Sequence, residues 1–201
     1  MTDTSIEFYF DFSSPYGYLA STQIDDVGSR HHRKVIWQPY LMGAAFKITG
    51  RAPLVNQPVV ANYAIHDLQR SARLLEIPFT IPNNFPVATV SACRLYYWIF
   101  DQNEALAHQY AQNIYKTYFV DGEDISERTI AIGVAESLGL EGNKLTQAIV
   151  SATVKQRLRD ETDNALNKQV FGSPFFIVDG EPFWGNDRIA QMETWLENQG
   201  W

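Results

Sequence analysis

The stretch FYFDFSSPYGYLAS, from Phe8 to Ser21, runs from apolar and aromatic residues into Ser-Ser-Pro, where a helical pattern begins. Pro15 suits the first residue of a helix, which leaves Ser14 at the N-cap. A helix N-terminus carries unpaired N–H groups and roughly half a positive charge, and it lowers the pKa of a thiol held there. A serine there cannot exchange disulfides, but its hydroxyl can donate a hydrogen bond to a thiolate brought by a ligand. The spacing alone fits a cap and a site equally.

Two further stretches carry chemistry. In VFGSPFFIVDG, Pro174 stands ahead of a short strand, where its missing N–H wastes no ladder bond. X-Pro bonds are mostly trans, and only the order of elements around Ser173-Pro174 favours cis. A cis bond would turn the backbone of Ser173 toward an extended peptide. In FWGNDRIAQM, Asn186 and Asp187 stand where the last helix begins. Read alone they are caps; as ligand contacts, Asp187 suits an ammonium group, and Asn186 or the local backbone suits a carboxylate.

Other candidates read as ordinary structure. Adjacent His31 and His32 cannot easily grip one metal, and His66 and His108 lack a ligand spacing, so no metal is expected. The acidic DGED at Asp121 lacks the rest of a calcium loop. Cys93, the single cysteine, lies on an apolar helix, reads as core and excludes an intrachain disulfide. Tyr16 and Trp184 suit either the core or the wall of an aromatic-substrate pocket.

The elements that position these residues follow from periodicity. SIEFYFDFSS and KVIWQPYLM read as strands, the second limited by Pro39, with one helix from Pro15 to about Arg30 between them. That order predicts parallel strands joined by a right-handed crossover. From about Pro58 to Val154 the pattern is helical. Val59, Val60, Tyr63, Ala64 and Leu68 form one expected apolar face, and Leu95, Tyr96, Ile99 and Phe100 another. Ser126 and Gly139 suit the caps of a later helix. The chain closes with a helix on Val154, Leu158, Ala165 and Leu166, a hairpin turning at Asp179-Gly180, and an amphipathic helix.

The order β-α-β, helical block, α-β-β-α predicts an α/β fold: a thioredoxin-like domain with an all-helical insertion domain. The division is 1–50 with 154–201 for the thioredoxin-like part and 51–153 for the insertion. In that fold, Ser14-Pro15-Tyr16-Gly17 occupies the place where redox relatives keep Cys-x-x-Cys.

Composition bounds the partners. The 201 residues suit one domain with a sizeable core or one domain carrying an insertion; 45% are hydrophobic and 19% charged, as in a soluble globular protein. A net charge of −7 argues against nucleic acid and anionic membranes. No run reaches the length of a membrane span, and the N-terminus lacks a secretory pattern. A cytoplasmic protein is expected.

FYFDFSSPYGYLAS, QPYLMGAAFKITG and VFGSPFFIVDGEPFWGNDRI together resemble the 2-hydroxychromene-2-carboxylate isomerases and the related kappa-class glutathione transferases. The resemblance spans nearly the whole chain. It implies a thioredoxin-like fold, usually dimeric, with glutathione as cofactor or cosubstrate. By motif, Ser14 takes the place of the serine that hydrogen-bonds the glutathione sulfur. Ser173, ahead of cis-Pro174, takes the place whose backbone pairs with the cysteinyl part. Asn186 and Asp187 take the γ-glutamyl places, and Lys47 matches a lysine in the loop after the second strand. Arg51 replaces a frequent Asn and suits the glycyl carboxylate. Gly17 stands where relatives often carry Ser, and Ser173 where several carry Val or Leu. The implied activity is isomerisation of an unsaturated aromatic carboxylate, by addition of the bound thiolate, rotation about single bonds and elimination. The alternatives are a kappa-like transferase or peroxidase, and a redox-inactive thioredoxin-fold peptide-binding module.

Overall fold

A computed structural model describes residues 5–201; residues 1–4, where the expected first domain segment begins, lie outside it. Strand β1 (Ser5–Phe10) is central, because its aromatic residues are buried on both faces. It pairs in parallel with β2 (Lys34–Pro39), Phe8 opposite Trp37, and antiparallel with β3 (Phe175–Val178), Phe8 opposite Phe176. The hairpin β3–β4 (Glu181–Trp184) completes the sheet order β2-β1-β3-β4. Pro39 is tolerated at the end of β2 because that strand is an edge. Asp179 and Gly180 both have positive φ, as a type I′ turn requires.

Ile6, Phe8 and Phe10 enter one large core with Leu19, Ile24, Val27 and Trp37, while Tyr9 enters a second with Tyr40, Ala45, Ala165 and Phe175. The large core is continuous with the helical block. There α5 (Val90–Phe100) buries Leu95, Tyr96 and Ile99, and α6 (Glu104–Phe119) buries Tyr110, Ile114, Tyr115 and Phe119. Helices α7 (Arg128–Ser137) and α8 (Gly142–Val150) pack beside them, and α9 (Ala152–Asn167) leads back to the sheet. A division at 153/154 falls in the first turn of α9.

Four local expectations are corrected. The helix after Pro15 is two: α1 (Pro15–Ser21) and α2 (Ile24–Arg30). The hydroxyls of Ser21 and Thr22 and the amide of Gln23 donate back to the carbonyls of Tyr18 and Leu19, which ends α1. The segment after β2 is not a loop but α3 (Met42–Thr49), which carries Lys47. In α4 (Val60–Leu74) the buried stripe is Ala64, Leu68 and Ala72; Val59, ahead of the helix at φ 72°, is 96% exposed and Tyr63 is 63% exposed. Ser126 does not cap α7. Its N–H and hydroxyl both donate to Asp124 Oδ1, and Glu127 is the cap. At the other end Leu138 is the C-cap, with Gly139 just beyond it at φ 87°.

The last helix, α10 (Ile189–Asn198), follows a 3-10 turn over Asn186–Arg188, so Asn186 and Asp187 lie ahead of it. No helix among the described residues is long and apolar enough to cross a membrane.

Candidate functional site

Ser14 caps α1: its Oγ accepts the Gly17 N–H at 3.0 Å. The same oxygen donates its proton to the Ser173 carbonyl at 2.7 Å. The hydroxyl is therefore used on both sides, and the residue is 3% exposed. The Ser173–Pro174 bond is cis. The Ser173 hydroxyl turns inward and accepts the Asp11 N–H at 2.9 Å.

Asp11, directly after β1, organises this corner, a role that residue type and spacing alone do not assign. Its carboxylate accepts the N–H groups of Ser13 and Met42, each at 2.9 Å, and the Thr89 hydroxyl at 3.0 Å. Its own carbonyl accepts the Ser14 N–H and the Tyr115 hydroxyl. One side chain thus ties the Ser14 turn to α3 and to the helical block. Burial pushes its carboxyl pKa up, against the lowering by its three donors. An acidic residue directly after an aromatic strand is the available signal.

Gly17 is needed for close approach. A Cβ there would lie 2.6 Å from Tyr115 Oη and 2.8 Å from Ser173 Oγ. The glycine at 17 and the serine at 173 are therefore neighbours in space.

Ser14 and Ser173 open onto a cavity of about 950 Å³, at the upper end of the roughly 300–1,000 Å³ common for small-molecule sites. Pro174, Tyr16, Trp184, Asn186, Asp187 and Arg51 also line it; Lys47 does not, and is exposed on α3. The structure therefore gathers every candidate site residue except Lys47. Gln23 donates to Asn186 Oδ1 at 3.1 Å, which fixes that carboxamide. Asp187 pairs with its neighbour Arg188 at 3.3 Å. Gly185, at φ 118°, allows the turn, since a Cβ there would meet Asp187 Oδ1 at 2.4 Å.

The Arg51 guanidinium lies 5.0 Å from the ring centres of both Phe171 and Trp184, and these rings meet edge to face. Among the described residues no carboxylate pairs with it. A cation held between rings without a counter-ion suits an anionic ligand group. On another wall the Tyr16 hydroxyl donates to Asp67 Oδ2 at 2.7 Å, and Arg70 holds the other Asp67 oxygen. Burial and Asp67 raise the Tyr16 pKa; burial alone would raise that of Asp67, but Tyr16 and Arg70 hold it below the usual carboxylate range. Among the described residues no His, Cys, Asp or Glu cluster could hold a metal ion.

Sheet order, cis-proline and helical block together define a thioredoxin-type domain of the DsbA kind, and the family described as DSBA-like thioredoxin domain matches residues 5–197. A 2-hydroxychromene-2-carboxylate isomerase of Sphingobium xenophagum is 32% identical over 98% of this chain and 99% of its own. The chain belongs to this DsbA-like family and, within it, to the 2-hydroxychromene-2-carboxylate isomerase family. It is also similar to glutathione S-transferase kappa 1 of Caenorhabditis elegans, 25% identical over 96% of this chain and 90% of that one. In fold it matches a solved 2-hydroxychromene-2-carboxylate isomerase with a TM-score of 0.87, at 24% identity, over 96% and 95% of the two chains.

Proposed function

We propose that the chain is a glutathione-dependent isomerase of the 2-hydroxychromene-2-carboxylate type. The observation that carries this reading is the 2.7 Å hydrogen bond between Ser14 Oγ and the Ser173 carbonyl, which brings the cap of α1 and the residue before Pro174 to one end of the cavity. The donor set around it fits a charged thiol peptide. Ser14 serves the sulfur, the Ser173 backbone the cysteinyl amide, Asn186 and Asp187 the γ-glutamyl end, and Arg51 the glycyl carboxylate. Lys47 has the weaker claim, because it stands off the cavity.

When bound, glutathione supplies a thiolate that adds reversibly to an electrophilic carbon. The chain's own part is binding, orientation and charge. Ser14 turns its proton from the Ser173 carbonyl to the sulfur, which stabilises the anion without ionising the serine. The freed carbonyl then accepts a peptide N–H. The positive end of α1 adds to this at short range. Arg51, fixed between Phe171 and Trp184, holds a carboxylate away from the reacting end. In this reading residues 51–153 form the helical insertion, the enzyme is a cytoplasmic homodimer, and Tyr16 and Trp184 face the aromatic substrate.

The kappa-like transferase or peroxidase reading uses the same tripeptide site and is favoured by the similarity to kappa-class transferases along most of the chain. Turnover of a 2-hydroxychromene-2-carboxylate in the presence of glutathione, beside a chlorodinitrobenzene and a hydroperoxide, separates the two. Isomerisation without net glutathione consumption supports the first, and conjugation or peroxide reduction alone supports the second. Absence of glutathione binding at millimolar concentration would favour the peptide-binding module.

A further inference from the structure

Two helices start without a side-chain cap of their own: α3, whose N-cap is Leu41, and α5, whose N-cap is Thr89. One side chain, Asp11, meets both starts. Its Oδ2 accepts the N–H of Met42, the first residue of α3, and its Oδ1 accepts the Thr89 hydroxyl. Oδ1 also accepts the N–H of Ser13, beside Ser14. Two of these three donors are main-chain N–H groups, which cannot turn to accept, so the arrangement fits an ionised carboxylate. The titratable groups that face it are Tyr40 after β2, Cys93 of α5, and Tyr115 and Tyr118 of α6. Burial pushes each of these up, so all four are neutral near pH 7. Among the described residues no lysine or arginine pairs with Asp11. It lines the cavity beside Ser13 and Ser14. An uncompensated anion thus stands where a thiolate is to be held, and the steps proposed above leave it unused.

We propose that Asp11 is a positioning residue that sets the basicity of a thiol held at Ser14. Its carboxylate draws α3, α5 and the Ser13-Ser14 turn together, and its charge opposes a second anion beside them. Ser14 and the helix ends by themselves would push the thiol pKa far down, and a thiolate loses nucleophilicity as its pKa falls. The carboxylate limits that fall. The sulfur then stays nucleophilic enough to add and acidic enough to leave. Positioning and charge act with opposite signs. Loss of the positioning alone loosens Ser14 and raises the thiol pKa, whereas loss of the charge lowers it. The inference rests on reading Ser14 as the sulfur site, but the field that Asp11 makes there is the same whatever the ligand.

A thiol built into the chain reads that field without any ligand. Ser14→Cys places one at the cap, and the native thiol of Cys93 is buried with its pKa pushed up, so it does not interfere. The alkylation rate of the introduced thiol across pH gives its pKa. Adding Asp11→Asn, which keeps the shape and removes the charge, should raise the thiolate-to-thiol ratio at a given pH about tenfold. A pKa that stays in place or moves up would overturn the proposal. If the double variant does not fold, the carboxyl carbon of Asp11, followed by NMR in Ser14→Cys alone, replaces it. Coupling between two titrating groups is reciprocal, so this carbon should show a second inflection where the thiol ionises. A carboxyl that ignores the thiol, or is already neutral at pH 7, would overturn the proposal. Failure of the glutathione reading looks different. Calorimetry of the wild-type chain with glutathione would then give no binding heat, while the introduced thiol would still respond to Asp11→Asn.

Discussion

Ser14 Oγ and the Ser173 carbonyl, 159 residues apart in the chain, are joined by a buried hydrogen bond of 2.7 Å. The serine that caps α1 thus already has its proton in use before any ligand arrives. Ser14→Ala removes both the cap and this cross-link. The cap alone contributes about 1 kcal/mol, which lowers the melting temperature of a chain of this size by about 2–4 °C. Differential scanning calorimetry checks it.

Gly17→Ala places a methyl group against Tyr115 Oη and Ser173 Oγ. Overpacking of this kind costs about 1–3 kcal/mol. Because the Tyr115 hydroxyl is the nearer obstacle, Gly17→Ala in a Tyr115→Phe background should cost less than in the wild type. A denaturation cycle over the four proteins reads the coupling.

Arg51→Gln should weaken glutathione binding about tenfold, through loss of a charge-assisted contact held between two rings. Trp184→Ala should weaken it in the same direction, and Lys47→Ala should have the smallest effect of the three. Because Arg51 is exposed, its variant should unfold at the wild-type temperature. Binding calorimetry beside thermal unfolding tests the split.

Asp67 gives a pH signature. Tyr16 and Arg70 hold its folded pKa below the ordinary value, overriding the burial that would raise it. Its ionised form therefore stabilises the fold above the unfolded pKa, about 4, and that contribution is lost as pH falls through the folded pKa. Asp67→Asn should be less stable than the wild type at neutral pH, with the gap closing on acidification. Urea midpoints measured across pH 2–7 follow it.

The strands and the hairpin were legible because aromatic and β-branched runs, a strand-ending proline and Asp179-Gly180 each state their geometry locally. The gathering of residues at one cavity was legible where a residue type fits one position in the fold, as at Ser14, Pro174 and Asn186. Other features depend on tertiary contacts that periodicity does not carry. The break after Ser21 comes from side chains bonding back to carbonyls. Helix α3 begins without a side-chain cap. Lys47 and Arg51 are four residues apart, and only the fold decides which faces the cavity. Asp11 and Asp67 are assigned by partners distant in sequence, Met42 and Thr89 for one and Tyr16 for the other.

The role given to Ser14 is tested most directly by the thiol pKa of bound glutathione, followed through the ultraviolet absorbance of its thiolate across pH. The wild-type chain should hold that pKa below the value of free glutathione, and Ser14→Ala should move it back up while the tripeptide still binds. An unshifted thiol in the wild type, or an equal pKa in the two proteins, would contradict the assignment.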